Sequence, residues 1–337
     1  MRLLRSAFSV LAAAGLSAAS AFAAPLKVAY SDWPGWTAFA IAEQKGWFKD
    51  AGVEVELLWF EYGPSMEAYS AGKVDAVMVT NGDALVTGAG GAKNVMIVAL
   101  DYSNGNDMIV AKPGIESMKD LKGKKIGIEV GFVEHLMLLK ALESAGLSES
   151  DVEIVPTPTN QTPQVLASGQ VDAIGAWQPN SGAALKALPG SKAIFTSANV
   201  PGLIYDTVAV TPQSLAERRA EWVKFITVWD KIVAFLADPK TRDEGVAIMA
   251  AKAGVDAATY AEFIPGTKFL PLSEGAKVLA SQAKGFGSVA GSAEIADAFN
   301  VKNGVYKESQ KVADYIDASL MADALKPAAP KPAPEKK

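Results

Sequence analysis

Apolar residues in this chain fall into short runs, separated by stretches in which they recur three and four positions apart. Residues 28–30 open a strand, and 38–47 follow with helical spacing. Strands are predicted at 53–60, 74–80 and 95–100, with a helix at 65–71. Short apolar strands alternating with helices predict a largely parallel sheet covered on both faces. The pattern then recurs. SAGKVDA at 70–76 returns as ASGQVDA at 167–173, with the Val-Asp-Ala triplets 97 positions apart. Lys27-Val28-Ala29 is echoed by Lys125-Ile126-Gly127, and the Ala51-Gly52 turn before Val55-Glu56 by Ala145-Gly146 before Val152-Glu153. The chain therefore holds two similar α/β lobes with a crevice between them. Asp75 and Asp172 occupy equivalent places in the repeat and read as features of the fold.

Beyond 204–210 the pattern turns strongly helical, at 216–236, 244–253, 258–263 and 275–285. Crossings between lobes are expected near 107–113 and 204–210, which makes the second lobe an insertion in the first. The expected division is 24–110 for the first part of lobe 1, 111–204 for lobe 2 and 205–325 for the return to lobe 1. Trp47, Trp222 and Trp229 lie on apolar helical faces and read as core.

The two ends differ from this body. A basic start at Arg2 and Arg5, an apolar run from Ala7 to about Leu16 and small residues at Ala21-Phe22-Ala23 predict a cleavable export leader over 1–23. Its apolar run is shorter than the roughly 20 residues that cross a bilayer. With no cysteine anywhere, a lipid-modified N-terminus, disulfides and thiolate metal sites are excluded. Residues 326–337, KPAAPKPAPEKK, predict an extended, disordered tail. The formal charge is −5, and the body without its cationic ends is more acidic still. That balance argues against nucleic acid and leans toward a cationic or neutral ligand.

Four motifs in order now carry a family resemblance: Glu43-Gln44-Lys45-Gly46-Trp47-Phe48, Ala71-Gly72-Lys73-Val74-Asp75-Ala76, Asp120-Leu121-Lys122-Gly123-Lys124-Lys125-Ile126-Gly127 and Ala176-Trp177-Gln178-Pro179. The mature chain resembles periplasmic solute-binding proteins of ABC importers in the nitrate/taurine/alkanesulfonate group. More narrowly, Ser31-Asp32-Trp33-Pro34-Gly35-Trp36, Thr80-Asn81-Gly82-Asp83-Ala84 and the 101–107 segment look like a subgroup labelled as urea transporters, whose genes accompany urea-carboxylase-like enzymes and guanidine metabolism. The resemblance implies a type II periplasmic binding protein fold, with two α/β lobes joined by two crossing strands and the ligand in the interlobe cleft. It also implies an ABC permease as partner, a periplasmic location and a monomer.

Ligands of open α/β sheets sit outside the carboxyl ends of the strands. The strand exits here offer Asp32, Trp33 and Trp36, then Asn81 and Asp83, then Asp101. The second lobe offers Glu129, Glu134, His135 and Trp177, and the return crossing Asp206. Anion-binding relatives characteristically hold their ligand with free N–H groups at helix N-termini. In this chain the loop at 129–135 carries Glu129 and Glu134 instead. A planar cation such as guanidinium wants carboxylate oxygens in its plane and indole rings on its faces. Urea, needing fewer acids and a donor from His135, Asn81 or Asn180, is the near rival, and a sulfonate- or nitrate-type anion the third reading. Several candidates also have structural readings: Glu134 as a first-turn helix acid, Asp83 as a helix cap and His135 as a packed core histidine.

Catalysis fits poorly. Some biosynthetic enzymes share this fold, yet one histidine and no cysteine cannot assemble a Cys–His pair or a multi-histidine metal site. No G-x-S-x-G, H-E-x-x-H, P-loop or dinucleotide fingerprint is present. No cofactor is expected.

Overall fold

The computed structural model describes residues 24–326. The expected leader and all but the first residue of the expected tail lie outside the described residues. The chain opens with β1 (Leu26–Tyr30), α1 (Pro34–Thr37), α2 (Phe39–Lys45), α3 (Trp47–Asp50), β2 (Val55–Trp59) and α4 (Tyr62–Ser70). It continues through β3 (Ala76–Thr80), α5 (Asn81–Ala89) and β4 (Val95–Ser103). A second sheet is built from β5 (Met108–Ala111), β6 (Lys125–Ile128), β7 (Glu153–Pro156), β8 (Ala173–Ala176) and β9 (Lys192–Thr196). Between these strands lie α6 (Val133–Ser144), α7 (Thr162–Ala167) and α8 (Asn180–Ala187). The chain then returns along β10 (Tyr205–Val210) to the first sheet, whose order is β11-β4-β10-β3-β1-β2, with β11 at Thr267–Phe269. The second sheet has the order β7-β6-β8-β5-β9. Its crossings to the first sheet fall at 104–107 and 197–204.

The repeat is visible as one interaction made twice. Asp75 Oδ2 accepts from the Lys27 N–H at 2.9 Å, and Asp172 Oδ2 accepts from the Lys125 N–H at 2.9 Å. Each aspartate thus ties the approach to a central strand (β3, β8) to the first residues of the strand beside it (β1, β6), fixing register in both lobes.

The expectation of largely parallel sheets needs correction. β1 runs parallel to β2 and β3, and β6 parallel to β7 and β8. The strands that follow the crossings run the other way: β10 is antiparallel to β3 and β4, and β5 to β8 and β9. They arrive from the opposite lobe with no helical crossover on the same sheet, which is the connection a parallel pair requires.

One long helix, α9 (Pro212–Ala237), backs the first sheet. Phe225 and Trp229 stack on Phe39 of α2, with ring centroids 5.0 and 5.2 Å apart. Trp222 and Trp229 are fully buried and donate their indole N–H to Ser214 Oγ and the Leu270 carbonyl. Truncating Phe225 would remove several ring contacts at a cost of about 3–5 kcal/mol. Trp47 is only partly buried, packed against the edge of the core and edge-on to Phe235. Five helices follow α9 among the described residues: α10 (Arg242–Ala253), α11 (Ala257–Ala261), α12 (Leu272–Ala280), α13 (Val289–Lys302) and α14 (Ser319–Ala324). α13 lies beyond the helices read from the sequence, because it buries mostly small residues, Ala290, Gly291, Ser292, Ala293 and Ala296, which give little periodic signal. Among the described residues no helix is long and apolar enough to cross a membrane.

Candidate functional site

Between the two sheets the cleft closes over a small cavity, lined from both lobes by Trp33, Trp36, Asp107, Val133, Trp177 and Asp206 among others. Hydrogen bonds pin the lobes together across it. Asp32, in the loop after β1, accepts from Trp177 Nε1 at 2.9 Å and from Asn180 Nδ2 at 2.8 Å, both in the second lobe. Asp83, in the first turn of α5, accepts from the Val133 N–H at the start of α6 at 3.1 Å and from the Tyr62 hydroxyl at 2.7 Å. Thr80 caps α5 through the Asp83 N–H, which sets the carboxylate facing the second lobe.

The cavity has aromatic walls. Trp33, Trp36, Tyr62 and Trp177 line it. Trp36 stacks on Tyr62 with centroids 5.4 Å apart, and Trp177 meets Tyr62 edge-on at 5.2 Å. These are the planar surfaces on which a flat cation stacks, at roughly 0.5–2 kcal/mol per contact.

Its floor is carboxylic. A register shift in the β4–β10 ladder places Asp206 opposite Asp101, with Thr80 on its other side. Asp107 sits where the two crossings meet: its N–H donates to Ser103 Oγ, its carbonyl accepts from the Ser197 N–H, and those two serine hydroxyls lie 2.6 Å apart. Glu134 reaches in from the first turn of α6, its carboxyl over Gly175 of β8. Asp101 and Glu134 are 0% exposed, Asp206 1% and Asp107 2%. No N–H or hydroxyl donor reaches Asp101 Oδ2, Asp107 Oδ2, Asp206 Oδ2 or either Glu134 oxygen. Trp36 Nε1 is a buried donor likewise without a partner. Asp101 can approach this closely because residue 35 is glycine: a Cβ there would lie 1.9 Å from Asp101 Oδ2.

Burial dominates the electrostatics. Removal from water pushes Asp101 up to about 7 and Asp107 up to about 6, against the hydrogen bonds from Trp33 and Ser103 that lower them. Asp206 and Glu134 are held well above the carboxylate range by burial first, then by the charges of Asp101 and Asp107 respectively. In its protonated form Asp206 donates to Asp101, and Glu134 to Asp107. Among the described residues no lysine, arginine or histidine is among the groups acting on these four.

The structure distributes the residues named from sequence over three roles. Trp33, Trp36, Trp177 and Asp206 line the cavity, while Asp101 and Glu134 are buried off its lining, next to Asp206 and Asp107 in their electrostatics. Asp32 and Asp83 fasten the lobes; burial lifts them to about 6 and about 7. Glu129 stands at the cleft mouth, half-buried, accepting from Thr159 Oγ1 at 2.8 Å. Two expectations need correction. Asn81 lies outside the cavity lining, with its amide donating to Ser292 Oγ and accepting from the Tyr205 N–H within the first lobe. His135 turns outward from the cavity, edge-on to Phe299 of α13, with Nε2 3.4 Å from Glu149. Sequence reasoning passed over Asp107 and Tyr62 as ligand contacts. Tyr62 begins the helix after β2 and could have been found as a strand exit; Asp107 lies on a crossing, outside any strand–helix unit. No group of described residues is arranged to hold a metal ion.

Comparison with known proteins places this architecture. The family model described as NMT1/THI5 like matches residues 33–241. The chain belongs to the NMT1/THI5-like family. A relative from Brucella abortus, named only as a binding protein, is 30% identical over 203 residues, 59% of this chain and 63% of its own length. The NMT1/THI5-like chain thus spans less than two thirds of that relative. Its fold matches the periplasmic aliphatic sulphonate binding protein SsuA of Escherichia coli, with a TM-score of 0.73 and 19% identity over 88% of this chain and 99% of SsuA. It also matches the desulfurization enzyme DszB, at a TM-score of 0.61 and 15% identity over 89% of this chain and 98% of DszB. The fold is that of the type II periplasmic binding proteins.

Proposed function

We propose that this protein is an exported receptor of an ABC importer that captures a small, planar, nitrogen-rich cation, guanidinium foremost, and delivers it to the permease. One observation carries the reading: Asp107 and Asp206 line an aromatic cavity, Asp101 and Glu134 are buried beside them, and each of the four has an oxygen that no N–H, hydroxyl or cation of the described residues reaches. Guanidinium brings N–H donors around its whole edge and two apolar faces, which match those oxygens and the Trp36 and Trp177 rings. A sulfonate or nitrate at the same place would meet carboxylates with no balancing cation, several kcal/mol unfavourable in a partly desolvated site. Closure about the two crossings completes the coordination shell, with Asp32 and Asp83 holding the closed form.

Urea is a second reading, favoured by one atom. Trp36 Nε1 is a buried donor without a partner, and a carbonyl oxygen would satisfy it. The receptor role excludes turnover, a distinction that matters because DszB shares the fold. Incubation of the pure protein with guanidinium, urea, taurine and nitrate, followed by thermal unfolding and quantitation of recovered ligand, separates these cases. Stabilisation by guanidinium with full recovery supports the proposal. Stabilisation by taurine or nitrate alone, or loss of the ligand, overturns it.

A further inference from the structure

The cavity carries more carboxyls than one monovalent cation neutralises, and they come in pairs. Asp101 and Asp206 face each other across β4 and β10. Asp107, on a crossing, and Glu134, in the first turn of α6, are both buried and act on each other's charge. We infer that protons and the cation compete for these two carboxyl pairs: shared protons hold the pairs together when no cation is bound, and a guanidinium-class cation binds by sending protons to solvent.

The inference rests on the cation reading and adds a stoichiometry to it. Two carboxylates forced together out of water cannot both ionise without a counter-charge, so one of each pair keeps its proton. A guanidinium N–H placed at the pair supplies the missing donor, and the proton leaves as hydronium. Only an O–H bond breaks, and charge is conserved. Two further acids face the pairs. From the first lobe the pairs are faced by Asp83 of α5, whose oxygens are bonded to Tyr62 and the Val133 N–H, and by the neutral indole of Trp33. From the second lobe Glu129 faces Glu134 from the loop after β6. His135, next to Glu134 in sequence, interacts with Glu149 rather than with either pair. The proton that leaves each pair is the one on Asp206 or Glu134, which burial and the facing carboxylate hold well above the usual carboxylate range.

The test is calorimetric titration of the full chain with guanidinium chloride in two buffers of different ionisation enthalpy, at pH 6 and pH 8.5. At least one proton per guanidinium should be released at pH 6 and about one at pH 8.5, and affinity should rise by about tenfold or more per pH unit over that span. An infrared carboxylic-acid C=O band should weaken on adding guanidinium at pH 6, a readout that needs no variant. Asp206→Asn and Glu134→Gln, each checked for native circular dichroism, should release fewer protons and flatten the pH dependence. Guanidinium binding with buffer-independent heat and flat affinity overturns the competition while leaving the cation reading intact. Absence of guanidinium binding at every pH overturns both.

Discussion

Asp101 and Asp206 stand opposite each other on β4 and β10, both buried, each with an oxygen that meets no N–H or hydroxyl donor. A fold whose only task was stability would not keep such a pair, because an unpaired buried charge costs several kcal/mol. On the proposed cation reading, removing one acid should have opposite effects on stability and binding.

Asp206→Asn is therefore expected to raise the melting temperature of the ligand-free protein at pH 8 by a few degrees, through relief of about 1–3 kcal/mol of repulsion and desolvation. The same variant should bind guanidinium more than about tenfold more weakly, a loss of at least ~1.4 kcal/mol. Lower stability with unchanged affinity would show that Asp206 serves the fold.

Gly35→Ala should act on the site through Asp101. The added methyl would occupy the place of Asp101 Oδ2, so the carboxylate must rotate and leave Trp33 Nε1. Guanidinium affinity should fall at least as far as in Asp101→Asn. Wild-type affinity in a folded Gly35→Ala protein would contradict the placement of Asp101.

The cross-cleft bonds of Asp32 make a kinetic prediction. Asp32→Ala leaves Trp177 Nε1 without its acceptor in the closed form only, at a cost of about 1–3 kcal/mol. Ligand dissociation should accelerate by about tenfold or more while association changes little. Stopped-flow tryptophan fluorescence reports both rates.

His135→Gln provides the contrast. The imidazole packs on Phe299 and faces Glu149, outside the cavity. Guanidinium affinity should stay within about twofold of wild type, whatever the change in stability; a larger loss would return His135 to the site.

Stability should also depend on pH with a definite sign. Asp32, Asp83, Asp101 and Asp107 have folded values raised to about 6 or 7. Their contribution is complete below roughly pH 4, where the unfolded chain is protonated too, and is lost as pH rises through 6 and 7. The ligand-free melting temperature should fall between pH 5 and pH 8, and saturating guanidinium should recover more of it at pH 8 than at pH 5.

Much of this was legible from the chain. The duplicated Val-Asp-Ala triplets announced two lobes, and Asp75 and Asp172 make the same bond in each. The acids and indoles at the strand exits led to the cleft. What the sequence could not resolve was side-chain direction and partnership. Glu134 and His135 are neighbours on α6, where successive residues point roughly 100° apart, so one turns toward Gly175 of β8 and the other toward Phe299 and Glu149. Asn81 carries the right chemistry, but its amide bonds to Ser292 and Tyr205, more than a hundred residues distant. Asp107 escaped notice because it lies on a crossing, a position with no periodic pattern to mark it.

The central claim is that the cavity holds a cation, and a direct titration at pH 7.5 decides it. Guanidinium chloride added to the purified chain should bind one to one with saturable heat at micromolar concentration, while taurine and nitrate give heats of dilution only. Saturable binding of taurine or nitrate, with none for guanidinium, would contradict the account.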